Sequence, residues 1–481
     1  MINGIFPTFM QSAYILFLCM KKFFYLILNV CLIHFLLGLD INIVSVSLPY
    51  ISSHFGVSMT EVSRIVWIYF LILTCFLLAF GKIGDIKGFR KIYISGIILF
   101  LTGSFLCSIS QTFTMLVIFR IVQASGSAVL FALTPAVIAS EIPEEIRGRV
   151  YGINYSFTAL GGIIGRAASG FLVEHFGWNS IFLINIPIGL VTIYFSYRYI
   201  RGLNYSGRKF DYYGTLLIFA GLFSLLFALN TGDEKGWASP EITGLFLLSV
   251  VFIVFFIIRQ KKAEHPLMDM GILKIKRISM PVLTFVFVYI ITNGMIYLSP
   301  FYLTWIKNYP KEQTGLLMAV PSVMQFFSGY LSGYLSDKFK GINTCLTGIV
   351  LITLSMGFCL YLSPESGILQ IILLFALYGF SIGFFIPSNT NNIMTGAPEK
   401  DKGIISSFMT TSVRLGSSFG VVLFGLVFMS FVPEKNPLQA GISPDVIMSG
   451  FRAAFIFGIF AGLLGVITVL LSGERKQKTV E

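Results

Sequence analysis

Charged side chains are scarce in this chain: Asp, Glu, Lys and Arg make up 12% of its 481 residues, against about 25% in ordinary soluble domains. With 56% hydrophobic residues and a mean hydropathy of +0.84, the composition excludes a soluble globular domain and indicates a polytopic membrane protein. Cysteine is sparse as well. Cys19, Cys31, Cys75, Cys107, Cys345 and Cys359 fall in or beside apolar runs, with no C-x-x-C spacing. That argues against a disulfide framework or a thiolate metal site, and the six read as small packing residues. No G-x-x-x-x-G-K-S/T loop occurs to couple ATP hydrolysis. No nucleophile–base set or metal cluster points to an enzyme, no appended soluble domain points to a sensor, and no cofactor is implied. Residues 1–20 carry no acidic or basic side chain, and Met20, Lys21 and Lys22 then precede the first long apolar run. A cleavable signal peptide has the opposite order. Either translation begins at Met20 or the extension 1–22 lies along the membrane surface.

The net charge of +12 would suit a nucleic-acid partner, but the basic residues lie in short loops between apolar segments, where the positive-inside rule explains them. A span needs about 20 mostly apolar residues, and fourteen such stretches occur, the first near 23–48, the tenth near 314–334 and the last near 451–472. With the N-terminus inside, the inner loops and tails hold 25 of the 34 Lys and Arg. Five fall outside (Arg64, Lys235, Lys307, Lys311, Lys435) and four within spans (Arg120, Arg166, Arg414, Arg452). The bias and the even span count put both termini in the cytoplasm, with the lipid bilayer as the surrounding partner.

An internal repeat organises these spans. Gly148, Gly161, Gly165 and Gly170 recur at a constant offset of 255 as Gly403, Gly416, Gly420 and Gly425, and Gly81 and Asp85 recur 252 residues later as Gly333 and Asp337. The expected fold is therefore all-α and membrane-integral, with two six-helix bundles at 23–201 and 278–472. Two inserted helices with linkers occupy 202–277, and a cytoplasmic tail occupies 473–481. Glycines spaced three to five apart let helix backbones approach closely where small residues drive packing. Gly161, Gly165, Gly170, Gly416 and Gly420 are the candidate packing positions.

One carboxylate stands apart. Asp40, within CLIHFLLGLDINIVSVSLPY, is the only acidic residue inside any of the fourteen stretches. An ionisable group at bilayer depth costs roughly 2.5–3.5 kcal/mol on insertion scales and needs a partner, water or a proton. Counting a 1.5 Å rise per residue, Asp40 in span one and Arg120 in span four both lie roughly 10–12 Å below the outer end of their helices. Matched depth permits an ion pair. Pairing favours the ionised carboxylate and desolvation disfavours it, so loosening the pair favours proton uptake. Asp40 is thus a candidate proton carrier and Arg120 the cation that tunes it, although a permanent structural pair fits the same geometry.

The loop after span two, GKIGDIKGFRK from Gly81 to Lys91, resembles the signature loop of the major facilitator superfamily, with Gly81, Asp85, Gly88 and Arg90 at the motif's positions. That resemblance implies a transporter in which this loop, with Asp337 in the repeat, latches the inner gate between the halves. Further stretches are similar to the 14-span drug:proton antiporters of that superfamily. They are LDINIVSVSLP (Leu39–Pro49), RIVQASG (Arg120–Gly126), FLINIPIG (Phe182–Gly189), FDYYG (Phe210–Gly214), GDEKGW (Gly232–Trp237), the pair Pro266 and Leu267, and the triplet Arg414, Leu415, Gly416. The resemblance spans about residues 20–472 and implies a proton-coupling role for the fourth-span arginine.

One segment departs from that family. The fifth span reads GGIIGRAASG from Gly161 to Gly170, where the antiporter motif has a proline at the position of Arg166 and a glycine at that of Ser169. Arg166 lies near the depth of Asp40, so it is a second partner for that carboxylate, a contact for an anionic substrate, or an arginine reaching to the outer interface. Counting Arg120, Arg166 and Arg414 against Asp40, the span interior favours neutral, zwitterionic or anionic amphiphiles over lipophilic dications. His34, six residues from Asp40, points elsewhere on the helix.

The sequence points to a cytoplasmic-membrane transporter that exports amphiphilic compounds in exchange for protons by alternating access. A same-fold importer or facilitator for a specific metabolite, anionic ones included, stays open because of the altered fifth span. A membrane sensor or lipid-modifying enzyme is the remaining alternative.

Overall fold

In the computed structural model the chain is described over residues 5–201, 209–339, 341–432 and 442–472, with the side chains of the first helix described from residue 23 onward. Fourteen long helices account for almost all of it. We number them α1 (Ile5–Phe55), α2 (Arg64–Lys87), α3 (Phe89–Ser108), α4 (Phe113–Glu141), α5 (Glu144–Phe176), α6 (Asn185–Tyr199), α7 (Tyr212–Lys235), α8 (Pro240–Lys262), α9 (Lys276–Phe301), α10 (Lys311–Lys338), α11 (Gly341–Cys359), α12 (Ile368–Thr395), α13 (Lys402–Phe431) and α14 (Pro444–Ser472). Among the described residues, thirteen helical segments are long and apolar enough to cross a membrane. The remaining long helix, α10, contains Gln313, Gln325 and five serines and glycines between Ser322 and Gly333, and it is flanked by α5 and α12. Its polar content suits a helix between protein neighbours. The chain is a multi-pass, all-helical membrane protein; the extension's side chains and the tail 473–481 lie outside the described residues.

Local chemistry sets the helix ends. Thr112 caps α4 by accepting from the Met115 N–H at 3.2 Å, and Gly88, at φ 86° and ψ 141°, separates α2 from α3 in a conformation a side chain would strain. Asp211 caps α7, accepting from Gly214 N–H at 2.9 Å. Its other oxygen accepts from Gln260 Nε2 at 2.9 Å, which ties the start of α7 to the end of α8. These two inserted helices pair with each other, and α7 leans on α2 and α13. Leu247, Val250, Val254, Phe255 and Ile258 of α8 are exposed, a lipid-facing surface in a bilayer.

Within the first half α1 packs along α5, and α4 along α2 and α3; in the second half α9 packs along α13, and α12 along α10 and α11. The halves meet where α5 faces α10 and α12, and where α13 faces α2 and α4. Glycine makes the tightest of these approaches. A Cβ on Gly161 would stand 2.1 Å from the Phe35 carbonyl oxygen, and one on Gly165 2.7 Å from that of Leu39. The repeated positions behave alike: Gly416 meets the Val286 carbonyl at 2.6 Å and Gly420 that of Ile290 at 2.4 Å.

Gly170 does not share this role, since a Cβ there meets nothing within 4 Å. The stripe on α5 advances by four, through Gly161 and Gly165 to Ser169, and Gly170 sits about 100° further round. Ser169 faces α1 instead, its hydroxyl 2.8 Å from that of Ser47. Gly161→Ala should therefore destabilise the chain by about 1–3 kcal/mol through overpacking against backbone that cannot yield. Gly170→Ala should stay within about 0.5 kcal/mol. Apparent melting of the two variants in detergent checks this, and equal shifts would contradict it.

Candidate functional site

Asp40 lies wholly inside the first bundle, at 0% exposure, and Arg120 beside it at 1%. Arg120 Nη1 is 3.2 Å from Asp40 Oδ2. The other carboxylate oxygen accepts from Gln123 Nε2 at 2.9 Å and from Asn185 Nδ2 at 2.8 Å. Both amides also donate to the Ser104 hydroxyl, at 2.7 and 3.2 Å. Arg120 is held further by Gln123 Oε1 at 2.6 Å, by the Ile65 carbonyl at 3.4 Å, and by the Tyr69 ring 4.2 Å beneath its guanidinium carbon. Five helices thus converge on one carboxylate: α1, α2, α3, α4 and α6. Each of its direct partners, Arg120, Gln123 and Asn185, donates to it.

Gln123, Asn185 and Ser104 were not singled out by the sequence reading. Two of them sit inside recognised strings, RIVQASG and FLINIPIG, and Gln123 lies one helical turn from Arg120. Arg166 joins a different place. It donates through Nη2 to the Ser322 hydroxyl at 3.1 Å and through Nε to the Gly162 carbonyl at 3.1 Å. It is not a second partner of Asp40, whose contacts are supplied by α4 and α6.

At one end of the bundles, the repeated aspartates bridge the two halves. Asp85 of α2 accepts from the Gly403 and Ile404 N–H groups at 2.7 and 2.8 Å, at the start of α13. Asp337 of α10 accepts from the Gly148 and Arg149 N–H groups of α5 at 2.7 and 2.9 Å. Each repeated Gly-x-x-x-Asp therefore docks on the repeated glycine of the opposite half. Gly81 and Gly333 permit it, since a Cβ on either would stand 2.5 Å or 2.3 Å from the carbonyl of Gly403 or Gly148. Lys402 adds a buried bond to the Ala139 carbonyl at 2.8 Å. Arg90 lies over the Tyr197 ring, at 5.7 Å.

Between the halves are three adjoining cavities of about 280, 320 and 360 Å³, which lie around the lower end of the range of small-molecule sites. Arg414 lines all three. His34, Gly38, Ile41 and Asn42 of α1 line the first, so His34 is on a cavity wall while Asp40 points into the bundle. Arg166 and Gln325 line the largest. Asp40 and Arg120 line none of the three.

Two helical bundles clasped at one end around a central cavity define a small-molecule membrane transporter. The chain belongs to the Major Facilitator Superfamily, whose family model matches residues 30–421. It is 29% identical to the riboflavin transporter RibZ of Clostridioides difficile (strain 630), over 96% of this chain and 100% of that protein. It is 26% identical to the multidrug resistance protein Stp of Mycobacterium tuberculosis (strain ATCC 25618 / H37Rv), over 88% of this chain and 79% of that one. Among solved structures it resembles the proton:xylose symporter XylE, with a TM-score of 0.62 and 16% identity over 92% of this chain and 95% of that one.

Hydrogen bonds to a charged group contribute about 1.5–3 kcal/mol net. Replacing both Asp85 and Asp337 by Asn should therefore enlarge the population with separated inner ends by about tenfold or more, at ~1.4 kcal/mol per tenfold. Pulsed EPR distances between nitroxides at positions 91 and 400 read this directly. An unchanged distance distribution would rule out the latch.

Proposed function

We propose that this transporter exports amphiphilic small molecules from the cell in exchange for protons, by alternating access, with Asp40 as the proton carrier and Arg120 as its tuning cation. The carrying observation is the position of Asp40, an acid buried without exposure at bilayer depth beside an arginine 3.2 Å away. Protonation removes the attraction between α1 and α4, leaving Arg120 on Gln123 and the Ile65 carbonyl. The asymmetry of Lys and Arg supports a cell-membrane location with cytoplasmic termini, and the bacterial relatives agree with that membrane. Similarity to a multidrug resistance protein supports efflux. In the cycle, Asp85, Asp337, Gly81, Gly88 and Arg90 form the inner gate.

A second reading is an importer or facilitator for a specific metabolite, with Asp40 and Arg120 as a fixed pair. Two observations favour it: Asp40 is absent from the cavity walls, and the similarity to a riboflavin transporter runs the full length of that protein.

Proton release from detergent-purified protein on substrate addition separates the readings. For exchange, wild type releases protons and Asp40→Asn, which keeps the shape but cannot ionise, releases none. Measurable substrate binding with no release from wild type would favour the second reading and recast the pair as structural.

A further inference from the structure

Arg414 sits roughly 18 Å along α13 from its inner end at 1.5 Å per residue, deep within the bundle interface. Its guanidinium carbon lies 5.1 Å from the centre of the Phe70 ring and 4.7 Å from that of Phe131. Its Nε is buried without a hydrogen-bond partner. Among the described residues lining the three cavities there is no Asp or Glu. Asp40, the acid of the same depth, is engaged by Arg120, Gln123 and Asn185. Arg414 is therefore a cation at the meeting point of the cavities, held by aromatic faces and lacking a protein counter-ion.

We infer that Arg414 is a substrate-binding residue and that the cavity around it takes a planar aromatic ligand carrying an anionic group. The inference deepens the transport reading above and rests on it. Two ring faces on a guanidinium fix its plane without using its forked N–H donors, which remain suited to a carboxylate, sulfonate or enolate. Aromatic walls flank it: Tyr289 and Tyr155 belong to two of the cavities, with Phe285 in one and Tyr378 in the other. Asn293 and Ser417, joined at 3.0 Å, border Arg414 in two cavities and offer neutral polar contacts. Arg166, across the largest of these three cavities, adds a second positive charge. A lipophilic cation finds no carboxylate on these walls and two arginines opposing it. The inserted helix α7 contributes Leu226, Leu229 and Asn230 to one wall, so the extra hairpin shapes the same site.

Fluorescein and rhodamine 6G share a planar xanthene ring and differ in the sign of their charge at neutral pH, which makes them suitable probes. Fluorescence polarisation with the detergent-purified full chain, without any proton gradient, is expected to show fluorescein bound and rhodamine 6G bound at least tenfold more weakly. Arg414→Gln should weaken fluorescein at least tenfold, and Arg414→Lys should lose less. Preference of wild type for rhodamine 6G, absence of fluorescein binding, or an Arg414→Gln variant that binds fluorescein like wild type would each overturn the inference. The charge preference of wild type decides the matter even where the glutamine variant does not fold. Because no gradient is present, fluorescein binding without proton release keeps this inference and removes the coupling, and proton release evoked only by cationic substrates does the reverse.

Discussion

A bilayer offers no hydrogen bonds, so each charge carried into it must find its partner within the protein. The treatment of four charged groups in this chain follows from that constraint. Asp40 is satisfied by a ring of side-chain donors. Asp85 and Asp337 at the joined ends of the halves are satisfied by pairs of backbone N–H groups from the opposite half. Arg414 has aromatic faces and an unpartnered Nε. Leaving a buried polar group unmet is costly, and the unpartnered Nε of Arg414 falls where three cavities meet.

The repeated Gly-x-x-x-Asp accounts for the symmetry of the contact between the halves. A segment pairing Gly-x-x-x-Asp with a later glycine, once repeated, could dock within each half or across the two. It docks across, with Gly81 against Gly403 and Gly333 against Gly148. Each half supplies one aspartate and one pair of backbone donors, so neither half can tilt away without breaking both sets. The same repeat also sets how closely helices pack within each half. Gly161 and Gly165 of α5 against α1, like Gly416 and Gly420 of α13 against α9, place backbone against backbone, a smooth contact with few interlocked side chains.

The helices and their number were readable from apolar runs because a span is a length and a composition, both local properties. Asp40 and Arg120 stood out for the same reason: charge at depth is rare. Gln123, Asn185 and Ser104 did not, because a neutral polar residue in a helix carries no mark of which way it faces. Orientation also separates Gly170 from Gly161 and Gly165, since one residue is about 100° of rotation and only the neighbour α1 reveals which face matters. Arg166 was placed at the depth of Asp40, yet equal depth does not give equal azimuth, and it meets Ser322 of α10 instead. The repeat was visible as offsets, but the crossing of its partners depends on how the halves are set against each other.

Orientation also links the charge cluster to the cavity. On α2, Tyr69 lies against Arg120 at 4.2 Å while its neighbour Phe70 lies against Arg414 at 5.1 Å. On α1, Asp40 faces the cluster while Ile41 and Asn42 face the cavity. On α4, Arg120 holds Asp40 while Phe131 holds Arg414. Three helices therefore present one face to the carboxylate and another to the ligand space. Any rotation of α1, α2 or α4 that relaxes the Asp40 pair also alters the walls around Arg414. In the proposed cycle, that shared set of helices lets loss of charge at Asp40 change the affinity of a cavity the carboxylate never touches. The two sites need no direct contact for proton and substrate to compete.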